Sequence, residues 1–178
     1  MSADDVRAQN LVGSGALFVA DRLREAVTEA AGLEGSGPAA LVALDQYAEG
    51  EGVDLLARAL SITHSGAVRL VDQLVERGLL RRAPSDHDRR AVALHLTPAG
   101  RRAAKRVAGA RRQAMADALA PLSPAERLQL GELLGCVVAG QTRDREDARR
   151  ICRLCDGDAC GHPDRCPVTQ ARLARQST

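Results

Sequence analysis

Five metal-ligating side chains crowd into fifteen residues near the end of this 178-residue chain. They run Cys152-x2-Cys155-x4-Cys160-x-His162-x3-Cys166, with Pro167 next. A CxxC pair followed by a second close pair, in a chain read as cytoplasmic, suits metal binding better than disulfides. Four thiolates around Zn2+ form a closed tetrahedral site. Cys152, Cys155, Cys160 and Cys166 are the first choice of metal ligands, with His162 as a substitute for one of them. Zinc is the first cofactor expectation. An iron–sulfur cluster held by the same four cysteines is the alternative, since the Cys-Pro ending suits that class. A disulfide-based thiol switch is a third reading. Besides the cysteines, residues 152–168 hold only Leu154 and Val168 as sizeable apolar groups, with Ile151 beside them. Their burial cannot offset an ordering entropy of roughly 1–2 kcal/mol per residue. A structural zinc, worth on the order of 10 kcal/mol, could. Cys136 stands apart on an apolar stretch and reads as a small core hydrophobe.

A second constellation is electrostatic. The net charge is only +2, but residues 1–63 carry ten acidic and four basic side chains, a balance of −6. Residues 77–112 carry ten Arg and Lys105 against Asp86 and Asp88, a balance of +9. A local basic block in a nearly neutral chain is the footprint of a polyanion site or, failing that, a solvated helix face. Aromatic residues make up 1% of the chain, which argues against stacking of single-stranded bases and against aromatic cages. No Ser/His/Asp set or phosphate-binding glycine loop is visible. A thiol oxidoreductase built on Cys152 and Cys155 would need a βαβ context that is missing. The chain is therefore expected not to be an enzyme.

The elements that position these groups are mainly helical. Helix is expected over 5–31, stopped at Gly32, and over 38–48, with Pro38 at the first helical position. Val53 to Leu60 and Thr63 to Arg77 form two helices with a tight joint, Ser61-Ile62-Thr63. In the second, Ala67, Leu70, Val71, Leu74 and Val75 make one buried stripe. Its other face presents His64, Ser65, Val68, Arg69, Asp72 and Gln73. After Gly78, residues 79–82 and 91–96 suit the strands of a hairpin whose tip is charged. Val92, Leu94 and Leu96 are expected on its buried side. Thr97-Pro98 opens a helix to about Ala120. Ser123-Pro124-Ala125-Glu126 is a capping box opening a last helix to about Ile151. That helix would be roughly 40 Å long, too long to bury its apolar face within one small subunit.

Two short helices and a hairpin are the order of a winged helix-turn-helix, a duplex-DNA reader. The match is more specific in the residues themselves. Leu60-Ser61-Ile62-Thr63-His64-Ser65-Gly66-Ala67-Val68-Arg69-Leu70-Val71-Asp72-Gln73-Leu74 resembles the recognition helix of the MarR family of bacterial regulators. Glu76-Arg77-Gly78-Leu79-Leu80 resembles that family's helix end and first wing residues. Residues 88–100, from Asp88-Arg89-Arg90 to Thr97-Pro98-Ala99-Gly100, resemble its wing and next helix start. The resemblance covers residues 8–143 and is strongest at 55–100. It implies a homodimeric transcriptional regulator, a repressor by family habit, binding a pseudo-palindromic operator. It implies a wing Arg in the minor groove, Arg90, oriented by Asp88, with Arg89 beside them. It also implies a small-molecule effector, in many relatives an aromatic acid or an oxidant. In this chain the state of the cysteine cluster is a further candidate signal. The chain departs from the family at Gly66, which gives up a polar contact, at Val68, suited to a thymine methyl, and at His64, where Pro is common. Arg69 suits a base, a phosphate or an ion pair with Asp72 or Asp45.

The expected organisation is an N-terminal dimerisation helix at 1–34, a winged helix-turn-helix at 38–97, dimerisation helices at 98–151 and a Cys-rich tail at 152–178. No run approaches the roughly 18 apolar residues that span a membrane, and the acidic start Met1-Ser2-Ala3-Asp4-Asp5 lacks a secretory apolar core. A cytoplasmic location is therefore expected. The alternative to a DNA-binding regulator is a metal-dependent protein-interaction module that uses the helix pair only as scaffold.

Overall fold

The computed structural model describes residues 1–85 and 91–176. Helix α1 spans Ala3–Ala31, opened by a Ser2/Asp5 capping box and closed by Gly32 in the left-handed region at φ 63°. Helix α2, Gly37–Ala43, starts with Pro38 and continues as a π-helical turn, Leu44–Ala48. Helices α3, Val53–Leu60, and α4, His64–Glu76, come next. Strands β1, Leu80–Pro84, and β2, Val92–Leu96, pair antiparallel with Leu80 opposite Leu96 and Pro84 opposite Val92. Helices α5, Pro98–Ala118, α6, Pro124–Gln141, α7, Arg145–Ile151, and α8, Pro167–Gln176, complete the chain. The expected fold class, mainly α with a small β-hairpin wing, is the one observed.

The apolar stripes converge as their spacing requires. Leu41, Leu44, Leu56, Leu74, Val71 and Leu94 are fully buried in one core beneath α4 and the hairpin. Thr63 caps α4, its Oγ1 accepting from Gly66 N at 3.1 Å. Ser61 takes the left-handed conformation at φ 54° to turn the chain between α3 and α4. Helix α5 starts under the hairpin, where Thr97 caps Gly100 N and donates to Gly78 O at 2.7 Å. Gly100 lies so close to Leu79 that a Cβ there would overlap the Leu79 carbonyl.

Three expectations are corrected. The helix expected from 124 to 151 is broken: α6 ends at Gln141, and Asp144 caps α7 by accepting from Glu146 N and Asp147 N. Helix α6 is therefore 18 residues, about 27 Å at 1.5 Å per residue. Val92 is exposed while Ala93 is buried, reversing the expected alternation at the outer end of β2. The segment before α3 lies along the edge of β2, with Gly50 N donating to Leu94 O at 2.9 Å and Leu94 N to Glu51 O at 3.0 Å. Cys136 is exposed, not core, because no residue of α6 is buried in this chain.

Candidate nucleic-acid interface and thiol cluster

The cap at Thr63 fixes which face of α4 looks outward. His64, Ser65, Arg69 and Gln73 are exposed on it, and Val68 is half-buried at its margin. His64 Nδ1 lies 2.7 Å from Asp54 Oδ1 on α3, tying the start of α4 to the preceding helix. Asp72 does not pair with Arg69; it accepts from Arg82 of β1 at 2.7 Å and so braces the hairpin against α4. Arg69 contacts only its own helix among the described residues, Nε donating to Ser65 O at 3.4 Å. Arg69 is exposed on the outward face. Beneath the hairpin, Glu49 accepts from both nitrogens of Arg101 at 3.0 and 3.1 Å and lies 3.3 Å from His95. Asp88, Arg89 and Arg90 lie outside the described residues. The described residues flanking them pair, Pro84 with Val92.

The four tail cysteines come together. Backbone turns space them: Cys155 N donates to Cys152 O at 2.8 Å, and Cys160 N to Asp156 O at 3.0 Å. Cys166 is buried just ahead of α8. Cys155 Sγ donates to Asp156 O at 3.6 Å, and the four thiols lie near enough to influence one another's ionisation. They line a cavity of about 280 Å3 together with His162, whose Nδ1 sits 2.9 Å from Thr169 Oγ1. Hydrogen bonding to Cys152 and the nearby Arg111 charge hold the Cys155 thiol down to about 6, against burial. The same bond, with burial, pushes Cys152 up. Burial pushes Cys160 up to about 12. At Cys166 burial also acts upward, but hydrogen bonds from Thr169 outweigh it and the net direction is down. All five cysteines are free thiols. Among the described residues, no three His, Cys, Asp or Glu side chains are arranged as a ready coordination shell. The thiols share one cavity without converging on a point.

Comparison with known proteins bears on the first of these sites. Residues 53–91, from the start of α3 to the foot of β2, match the model of the MarR family. Over this stretch the chain is similar to the MarR family. A Thauera aromatica protein named for transcriptional regulation of the hcr operon is 38% identical over 96 residues, covering 54% of this chain and 56% of that one. The chain thus spans little more than half the length of this curated relative. CouR from Rhodococcus jostii RHA1, solved with p-coumaroyl-CoA bound, superposes with a TM-score of 0.57 at 25% identity, over 71% of this chain and 88% of its own. Apo MarR from E. coli shares the fold, with a TM-score of 0.61 at 21% identity over 72% and 95% of the two chains.

The MarR match ends before the thiols begin, so it assigns them nothing. Residue spacing did not reveal two pairs inside the matched region, Asp54 with His64 and Asp72 with Arg82. Each joins residues ten positions apart on different elements, which only the packed fold can specify. The break before the tail has its own anchor. Asp147 is buried and accepts from Arg143 Nε at 2.8 Å, Arg143 N at 3.2 Å and Arg150 Nη2 at 2.9 Å. These bonds, Arg143's first, hold its carboxyl down at about 2. A depressed carboxyl contributes stability above its unfolded value near 4 and loses it as pH falls through the folded value. Hydrogen exchange over 142–151 should therefore accelerate between about pH 4 and pH 2, and Asp147→Asn should show the same acceleration already at pH 7. Unchanged protection in the variant would remove Asp147 as the anchor of the break.

Proposed function

We propose that this chain is a homodimeric DNA-binding transcriptional regulator, a repressor, that reads a pseudo-palindromic operator and is released by an effector. The observation that carries the reading is the MarR-family match over α3, α4 and β1, with the outward face of α4 lined by His64, Ser65, Arg69 and Gln73. In such an arrangement α4 enters the major groove and the wing, with Asp88, Arg89 and Arg90, reaches the minor groove or backbone. A guanidinium suits the negative potential of a narrow minor groove. Dimerisation is supported by the apolar side chains that one subunit leaves bare on α1 and α6. Two symmetric recognition helices would then meet half-sites about 34 Å apart. The acyl-CoA ligand of CouR supports a small-molecule effector for this chain as well. The Cys-rich tail belongs to the reading as a metal-holding appendage, with zinc as its cofactor. No described helix is long and apolar enough to cross a membrane.

The test is duplex binding by fluorescence anisotropy at fixed salt, using a site selected from a random pool. Arg90→Ala should weaken binding by about 1–3 kcal/mol, and Arg69→Ala by a similar amount if it reads a base. Arg69→Ala should also relax preference at one position in each half-site. The interaction-module alternative predicts no salt-dependent duplex binding, and that result would displace the regulator reading.

A further inference from the structure

We infer that Cys152, Cys155, Cys160 and Cys166 bind one thiophilic divalent cation, zinc, and that the loaded centre fixes the tail against α3 so that operator binding depends on zinc. The dependence of operator binding rests on the regulator reading; the zinc site does not.

Four thiols from a loop and the foot of α8 line one cavity of about 280 Å3. Rotation of their side chains into that shared space would bring four sulfurs to one cation. His162 bonds Thr169 Oγ1 through Nδ1, which leaves its Nε2 as the donor that would replace one of the four sulfurs. Four thiolates around a 2+ cation carry a net charge of 2−, and the surroundings answer it. Arg145, Arg149 and Arg172 line the same cavity, and Arg111 acts on Cys155. Beside a tetrathiolate these cations compensate its charge. Leu154, the one sizeable apolar side chain of residues 152–165, packs partly buried against the core, so apolar packing anchors this loop at a single point.

The tail's contacts carry the coupling. Tyr47 Oη donates to Arg149 O at 3.2 Å, and Gln46 Oε1 accepts from Gly157 N at 3.1 Å, both from the π-helical turn before α3. Arg58 of α3 pairs with Glu146 of α7 at 2.9 Å. Arg112 of α5 pairs with Asp156, between the second and third cysteines, at 3.4 Å. The loop holding the thiols is thereby fastened to α5 and to the segment carrying α3. Helix α3 in turn holds the start of α4 through Asp54 and His64. Releasing the metal frees the loop, loosens these four contacts and lets α3 and α4 shift.

The experiment uses the full chain. Protein purified without chelator should contain one zinc per chain, and Co2+ exchanged into it should give the absorption of tetrahedral thiolate cobalt. Stripping zinc with a strong chelator should weaken binding to the selected duplex roughly tenfold, within the usual range of coupling between sites. Zn2+ should restore it and Mg2+ should not. Stripping should also raise hydrogen exchange over 44–60, a readout that needs no DNA. Tyr47→Phe leaves the thiols untouched, so zinc content should hold while the zinc dependence of affinity narrows. Cys155→Ser should abolish zinc binding. Iron in place of zinc, cysteines paired as disulfides in anaerobically purified protein, or zinc whose removal alters neither affinity nor exchange at 44–60, would each overturn the proposal. Loss of duplex binding with zinc content and zinc-dependent exchange intact would count against the regulator reading instead.

Discussion

Gly100→Ala should unfold the winged-helix unit or cost it more than about 3 kcal/mol, a larger penalty than ordinary overpacking. The added Cβ would overlap the Leu79 carbonyl and press on Leu96 Cδ2 at 3.0 Å. Neither can yield cheaply. Leu79 O accepts from Thr97 N at 3.1 Å, and Leu96 is buried opposite Leu80 in the hairpin. Moving Leu79 therefore disturbs the cap of α5 and the first pair of the wing together. Helix propensity alone would predict the opposite sign, since Ala is better than Gly in a helix by about 1 kcal/mol. Thermal unfolding decides between them. A variant as stable as the parent would mean that α5 does not approach the hairpin this closely.

The same position shows what a sequence reveals and what it hides. Thr97-Pro98 announces the start of α5, because an N-cap hydroxyl followed by Pro is a local device. The 3.6 period of Ala67, Leu70, Val71 and Leu74 likewise announces α4, and all four are buried. That Gly100 must be glycine is not legible, since it depends on a carbonyl twenty-one residues away. The break between α6 and α7 is legible in principle. Asp144 is a good N-cap, and it accepts from Glu146 N and Asp147 N. Residues 141–147 hold no Gly or Pro, the strongest helix breakers, so that signal is easily passed over in the sequence. The π-helical turn at Leu44–Ala48 leaves no trace in periodicity, although it places Gln46 and Tyr47 against the tail. The thiol cluster is legible as spacing. Its cationic surroundings are not, because Arg111, Arg145, Arg149 and Arg172 come from three helices.

Val137→Asp should dissociate the proposed dimer, raising its Kd by roughly a hundredfold or more, because a carboxylate buried without a partner costs at least about 3 kcal/mol. Helix α6 is 18 residues long with none buried, and Leu133, Leu134 and Val137 are 59%, 51% and 59% exposed. These three positions fall within about 100° on a helical wheel, so they form one apolar face. Helix α1 is similarly bare at Leu11, Val12, Leu17 and Phe18. A lone subunit gains nothing from such surfaces, and contiguous apolar patches on soluble chains mark interaction sites. Since α8 already packs beside α6, with Pro167 next to Gly135, the face at 133–137 is the one left for a partner. Light scattering across a dilution series should show a dimer for the parent and a monomer for Val137→Asp, with circular dichroism unchanged over the winged-helix unit. The monomer should bind a single half-site far more weakly than the dimer binds the full operator, because it forgoes the effective concentration that linkage supplies. A parent that is monomeric and still binds duplex with full affinity would show that α6 serves another purpose.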